Sequence, residues 1–181
     1  MKLEIVKAVK ESKQLGFAPP LRLGPRPQSC RALPHMQLDQ WPPPTVADEL
    51  FEKCLSFPHI RLKESRMAAP ECHALSLPDE YAAGPSGAFI VDHEFCHLHP
   101  LPDGSIHLTL PREIRDCAFA RGWAEPHLAS RAGILADTLV MVYAPRDFEE
   151  LAVVVALIRQ SYEFARGCAT CPAGLEKEKS A

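Results

Sequence analysis

The chain has 181 residues, 46% of them hydrophobic, and a formal net charge of −3. That length suits one domain with a sizeable core, and the charge offers no electrostatic footprint for nucleic acid. The longest uninterrupted apolar run, Leu151 to Ile158, is far too short to span a bilayer. The first residues break their apolar run with Lys2, Glu4 and Lys7, unlike a signal peptide, so the seven cysteines predict reduced thiols in a cytoplasmic protein.

In chain order, Leu3, Val6, Val9 and the stem of Lys13 predict a short amphipathic helix stopped by Gly16. From Phe17 to Pro44 prolines crowd the chain, each fixing φ and removing a donor. Residues 1–44 are therefore expected to form a helix and an extended arm lying on the domain, with His35, Leu38 and Trp41 to bury. Thr45 and Asp48 resemble a capping box, opening a helix through Val46, Leu50, Cys54 and Leu55 that Phe57 and Pro58 end. Residues 59–67 and 72–77 read as strands, the first near an edge, and Ala88 to Val91 as a short apolar strand.

Pro111 suits the first turn of a helix with Ile114, Cys117 and Ala118 as its stripe and Gly122 as its stop. Thr138 to Ala144 is rich in β-branched residues and predicts a central strand. Asp147 and Glu150 open the last helix, where Leu151, Val154, Val155, Ile158, Tyr162 and Ala165 recur at helical spacing up to Gly167. Residues 168–181 read as a charged tail. Cys168 and Cys171 there form a lone C-x-x-C behind a helix C-terminus, not at the N-terminus where such thiols are activated. The expected architecture is α+β over residues 45–167: a mostly antiparallel sheet with helices packed on one face, behind the Pro-rich N-terminal arm.

Between Ala88 and Leu110 lie four of the eight histidines: His93, His97, His99 and His107. Period-two patterns flank the turn cluster Pro100 to Gly104 and predict a hairpin. A five-residue loop sets His97 opposite His107 and Leu98 opposite Ile106. Residues two apart then share a face, putting Phe95, His97, His99, Ser105, His107 and Thr109 on one side. Cys96, Leu98, Ile106, Leu108 and Leu110 fall on the other, with Glu94 pointing the same way. A two-residue turn would slip the register and expose Ile106 and Leu108.

His93 and His97 match the H-E-x-x-H of zinc proteases, which works only on a helix. On a strand their Cα atoms stand roughly 13 Å apart at about 3.3 Å per residue, so the match is accidental. His97, His99 and His107 are spaced to converge on a proton, a ligand or a metal. His127, after Glu125 and Pro126, is placed to join them. Arg66 and Tyr143 are candidate anion binders, and Trp123 a packing residue or pocket wall. No dinucleotide or phosphate-binding glycine loop is present.

Several segments together resemble the luciferase-domain family, which includes the fungal luciferases and small bacterial proteins. These are Glu94-Phe95 with His97, His99 and Pro100; Asp103-Gly104-Ser105 with His107; Gly122-Trp123-Ala124-Glu125-Pro126-His127; and Tyr143-Ala144-Pro145-Arg146-Asp147 before a long helix. The arm segment Pro34-His35-Met36-Gln37-Leu38-Asp39-Gln40 looks like the bacterial branch, and the likeness runs from about Pro34 to Ala165. For the fungal members the resemblance implies oxidation of 3-hydroxyhispidin by molecular oxygen without flavin or haem, through an endoperoxide that loses carbon dioxide. The N-terminal membrane helix of those enzymes has no counterpart here, so no membrane association is expected.

The expectation is thus a luciferase-like, cofactor-independent oxygenase for a small enolic or phenolic molecule. Catalytic roles would fall to His97, His99, His107 and His127, with His97 or His107 as base. Arg66, Trp123 and Tyr143 would meet the substrate. The alternative is a small metal- or anion-binding protein using the same histidine face without turnover.

Overall fold

The structure, a computed structural model, describes residues 17–67 and 71–168. The helix expected between Leu3 and Lys13 and the charged tail beyond Cys168, with Cys171, lie outside these residues. Chain order gives α1 (Pro44–Leu55), β1 (Arg61–Glu64), β2 (His73–Ser76), β3 (Glu94–Leu98), β4 (Ile106–Thr109), α2 (Arg112–Ala120), β5 (Ala124–Pro126), α3 (Leu128–Arg131), β6 (Leu139–Val142) and α4 (Phe148–Ala165). The six strands form one sheet in the order β1-β2-β3-β4-β6-β5, antiparallel at every pairing. The class is α+β.

One face of the sheet is apolar. Leu75, Cys96, Leu98, Ile106, Leu108, Val140 and Val142 pack with Val46 and Leu50 of α1, Ile114 and Ala118 of α2, and Leu151, Val154, Leu157, Ile158 and Ala165 of α4. Helical spacing dictates this, because 3.6 residues per turn align those α4 positions into one stripe. Asp147 caps α4 by accepting from the Glu150 amide at 2.8 Å. Among the described residues no helix is long and apolar enough to cross a membrane.

The opposite face is polar and is covered by the arm. Arg22, His35 and Gln37 are buried there. Arg22 donates to both carboxylate oxygens of Glu150 at 3.1 and 3.0 Å, and the Trp123 indole donates to the Pro20 carbonyl at 2.6 Å. Gln37 takes the place of a strand neighbour: its amide donates to Asp103 at 2.9 Å and its side-chain oxygen accepts from the Ala144 amide at 2.9 Å. These bonds satisfy polar groups that proline-rich backbone cannot satisfy by a ladder.

Several sequence expectations need correction. The Thr45–Asp48 capping box is absent: α1 begins at Pro44 and has no side-chain cap, since a proline in the first turn already supplies a fixed φ and lacks only an N–H that would go unpaired. Ala88 to Val91 is not a strand. Ser86–Ala88 forms a 3-10 turn, and Asp92 at φ 49° reverses the chain so that the Ile90 amide reaches the Glu94 carbonyl at 2.7 Å. Trp41 and Leu38 are half-exposed, so His35 alone of that trio is buried. The strand expected over 59–67 shortens to four exposed residues at the sheet edge. Strand β6 lies between β4 and β5, one place in from the other edge. Strand β5 and the short α3 lie in what reads from sequence as a loop.

Gly84 meets the end of α4 at close range. Its amide donates to the Ala165 carbonyl at 2.8 Å, and a Cβ there would stand 2.3 Å from the Phe164 carbonyl oxygen. Backbone cannot yield as a side-chain tip can. Gly84→Ala is therefore expected to lower stability by about 1–3 kcal/mol, read as a lower urea midpoint with unchanged slope. An unchanged midpoint would contradict this contact.

Candidate active site

The hairpin register is the one a five-residue loop requires. His97 pairs with His107, Leu98 with Ile106 and Cys96 with Leu108. The His99 amide donates to the Ser105 carbonyl at 3.0 Å, and Gly104 turns the chain at φ +62°, where glycine costs nothing. The histidine face continues across the sheet, because Ala74 pairs with His97, and Met141 with both His107 and Glu125.

One residue breaks the alternation. Between Leu75 and Ser76 the register against β3 shifts, so that Leu75 opposes Cys96 but Ser76 opposes Glu94. Phe95 is the extra residue of this bulge, and a bulge re-aims the side chains beside it. Phe95 consequently leaves the histidine face for the core against Tyr162. Glu94, expected on the opposite face, instead joins the histidines and accepts from His97 Nδ1 at 2.6 Å.

Five imidazoles meet on this face. His97 and His107 rings lie 4.9 Å apart, His99 and His107 4.4 Å, and His107 and His127 4.5 Å. His35, carried in by the arm, stands 5.8 Å from His107 and 5.1 Å from His127. All five are buried. His35, His99, His107 and His127, with Leu33, Pro34 and Met67, line a cleft of about 310 Å³.

Hydrogen bonds fix where the protons sit. A carboxylate only accepts, so His97 donates through Nδ1 to Glu94, whose Oε1 also accepts from Ser65 at 2.9 Å. Burial pushes the His97 pKa down despite the Glu94 carboxylate, so the ring is neutral and its Nε2 holds a lone pair. That nitrogen lies 3.0 Å from His107 Nδ1, which must therefore be the donor. His107 in turn is left with a lone pair on Nε2, buried and without a partner. Burial, reinforced by His97, His99, His127 and His35, holds its pKa well below the ordinary value.

His99 is the opposite case. Burial would lower its pKa, but the bond to Asp103 at 2.5 Å and that carboxylate's charge outweigh it, helped by Cys72, and lift the value to about 9. The ring is an imidazolium at neutral pH, with an unpartnered Nε2–H. Asp103 is itself pinned by the Gln37 and Ser105 amides at 2.9 and 3.2 Å. His127 accepts from the Ala129 amide through Nδ1 at 3.2 Å, and burial together with the nearby rings takes its pKa down to about 4. It is neutral with its proton on Nε2. His35 donates through Nε2 to Glu125 at 2.7 Å, leaving Nδ1 unpartnered. Bonds from His35, Ser29 and Tyr143 overcome burial and hold the Glu125 pKa near 2.

Of the residues singled out from sequence, His97, His99, His107 and His127 come together. Tyr143 stands behind them, its hydroxyl donating to Glu125 at 3.0 Å. Arg66 does not join: it is exposed and paired with Asp92 at 2.9 Å. Trp123 is a core residue under Arg22, not a cleft wall. His93 sits outside, 3.3 Å from Asp79, and β3 is a strand, so no zinc-protease helix exists here. Sequence reading omitted His35, Glu94 and Asp103 from the site. Asp103, four residues after His99 across the turn, carried the one available signal.

Residues 92–161 match the family model described as Luciferase domain. Among curated proteins the chain is similar to luciferases of Armillaria gallica and Armillaria ostoyae, each 28% identical, and of Armillaria mellea, 27% identical, over 157 residues. These alignments cover 78% of this chain and 59% of each relative, so the chain spans about six-tenths of the length of the luciferases it matches. No solved structure matches. Residues 92–161, the stretch similar to the Luciferase domain model, hold four of the five clustered imidazoles: His97, His99, His107 and His127.

Proposed function

We propose that the protein is a luciferase-like oxygenase that acts on a small enolic or phenolic substrate, such as a 3-hydroxy-2-pyrone, without an organic cofactor. The observation carrying this reading is the relay Glu94–His97–His107, which ends in an unpartnered Nε2 on a cleft-lining ring beside His99. His107 Nε2 takes the enol proton, and His97 with Glu94 holds the ring in the accepting tautomer. His99 Nε2–H, aided by neutral His127 Nε2–H, stabilises the enolate oxygen as fixed donors in a water-poor site do. Molecular oxygen then meets an electron-rich enolate. The partner is a small molecule, not nucleic acid or membrane, and the thiol-rich composition fits a cytoplasmic setting.

Oxygen uptake and light are to be followed with hydroxylated 2-pyrones and related enols. Uptake that depends on the enol supports the reading, and no consumption with any of them overturns it. The rate should also fall as pH rises through about 9, where His99 loses its proton. The stability that the His99–Asp103 pair supplies follows the same sign. It is complete below the ordinary histidine value near 6.5 and fades through about 9. Asp103→Asn should move the alkaline limb to lower pH, and an unmoved limb would remove His99 from the enolate-holding role.

A further inference from the structure

We propose that His35, His107 and His127 form a binding site for a divalent transition metal of the zinc or cobalt kind. One nitrogen of each lies within 4.8 Å of the other two, and all three rings line the same cleft. A second set, His97 with His99 and His107, meets the same distance test and is the set suggested by strand spacing alone. Hydrogen-bond partners separate the two.

A metal needs lone pairs. His35 Nδ1 and His107 Nε2 already present them, buried and without partners, because their other nitrogens donate to Glu125 and His97. The competing set shares His107 but is less ready, because its His97 Nε2 is already engaged by His107 at 3.0 Å. His127 must give up the single 3.2 Å bond with the Ala129 amide, a smaller rearrangement than breaking the relay.

The surroundings suit a cation. Glu125 orients His35 as a carboxylate orients a metal-bound histidine, and Glu125 is fixed by Ser29 and Tyr143. An all-imidazole set favours zinc, cobalt, nickel or copper over calcium or magnesium, which take oxygen ligands. An ion on His107 Nε2 occupies the lone pair that the relay uses, so the metal-loaded and proton-accepting states exclude each other. The site rests on this geometry alone and not on the oxygenase reading.

The test is cobalt(II) titration of untagged, chelator-treated protein at pH 7, followed by visible absorption and calorimetry. One equivalent should bind with tetrahedral-type bands. Affinity should fall at least about 100-fold in His35→Ala and about 10-fold in Glu125→Gln, while His99→Ala retains it within a few-fold. No stoichiometric binding overturns the site. So does loss in His99→Ala with retention in His35→Ala. Should His35→Ala fail to fold, histidine ¹⁵N NMR of the wild-type zinc form decides: ligation by His35 and His107 supports the site, and ligation by His97 or His99 overturns it. None of these readouts needs turnover, so a protein that binds metal but oxidises no enol sinks only the oxygenase reading.

Discussion

Replacing His107 by alanine should reduce enol-dependent oxygen consumption by about 10²–10⁴-fold, the range typical of removing a positioned base. His107 lines the cleft, and its buried Nε2 is the ring nitrogen left without a partner. His97→Ala should impair turnover to a similar extent, because without its Nε2 acceptor His107 no longer keeps its proton on Nδ1. The two variants should differ in stability. His107→Ala removes a buried neutral ring and leaves His97 Nε2 unpaired. His97→Ala strands the buried Glu94 carboxylate with Ser65 as its remaining bonded side chain, costing roughly 1–3 kcal/mol for the lost charged bond. Steady-state kinetics with thermal unfolding read both effects. A His107→Ala protein within a few-fold of wild type would remove the relay from the mechanism.

The second large effect concerns the arm. Arg22→Ala should destabilise the protein by about 3 kcal/mol, the lower end for breaking a buried ion pair. Arg22 and Glu150 are both buried and joined through two bonds, and Arg22 also donates to the Ala144 carbonyl at 3.3 Å. The lower end applies because Arg146 stays bonded to Glu150 and leaves its carboxylate partly compensated. The guanidinium also covers the Trp123 and Tyr143 rings at 5.7 and 5.4 Å. Its loss should loosen the arm that carries His35 and lower the affinity of any cleft ligand as well as the denaturation midpoint. A midpoint shift worth less than about 1 kcal/mol would mean that the arm is held mainly by Gln37 and the indole bond.

Strong periodicity and turn chemistry made much of this protein legible in its sequence. The stripe of α4, the Asp147 cap and the hairpin register all follow from local rules: 3.6 residues per turn, a side chain that caps an orphan amide, a glycine that accepts positive φ. The register mattered most, because a one-residue slip would have moved His107 to the face of Cys96 and Leu98 and set Ile106 and Leu108 beside His97. Convergence of His97, His99 and His107 was readable from it. So was the antiparallel character of the sheet, since short strands joined by turns rarely pair otherwise.

What sequence could not show depends on contacts between distant segments. The bulge at Phe95 arises from pairing with β2, some twenty residues earlier, and it alone brings Glu94 to His97. His35 reaches the cleft because Arg22, Gln37 and Pro20 tie a proline-rich arm to α4, Ala144 and Trp123. The partners of each imidazole, and hence which nitrogen holds a proton, depend on Asp103, Glu125 and Ala129 being placed by the fold. By itself the sequence determined that imidazoles share one face, because strand periodicity is local. Only the tertiary structure decided which of them donate and which accept, because a buried proton belongs to whichever partner the packing brings within hydrogen-bond reach.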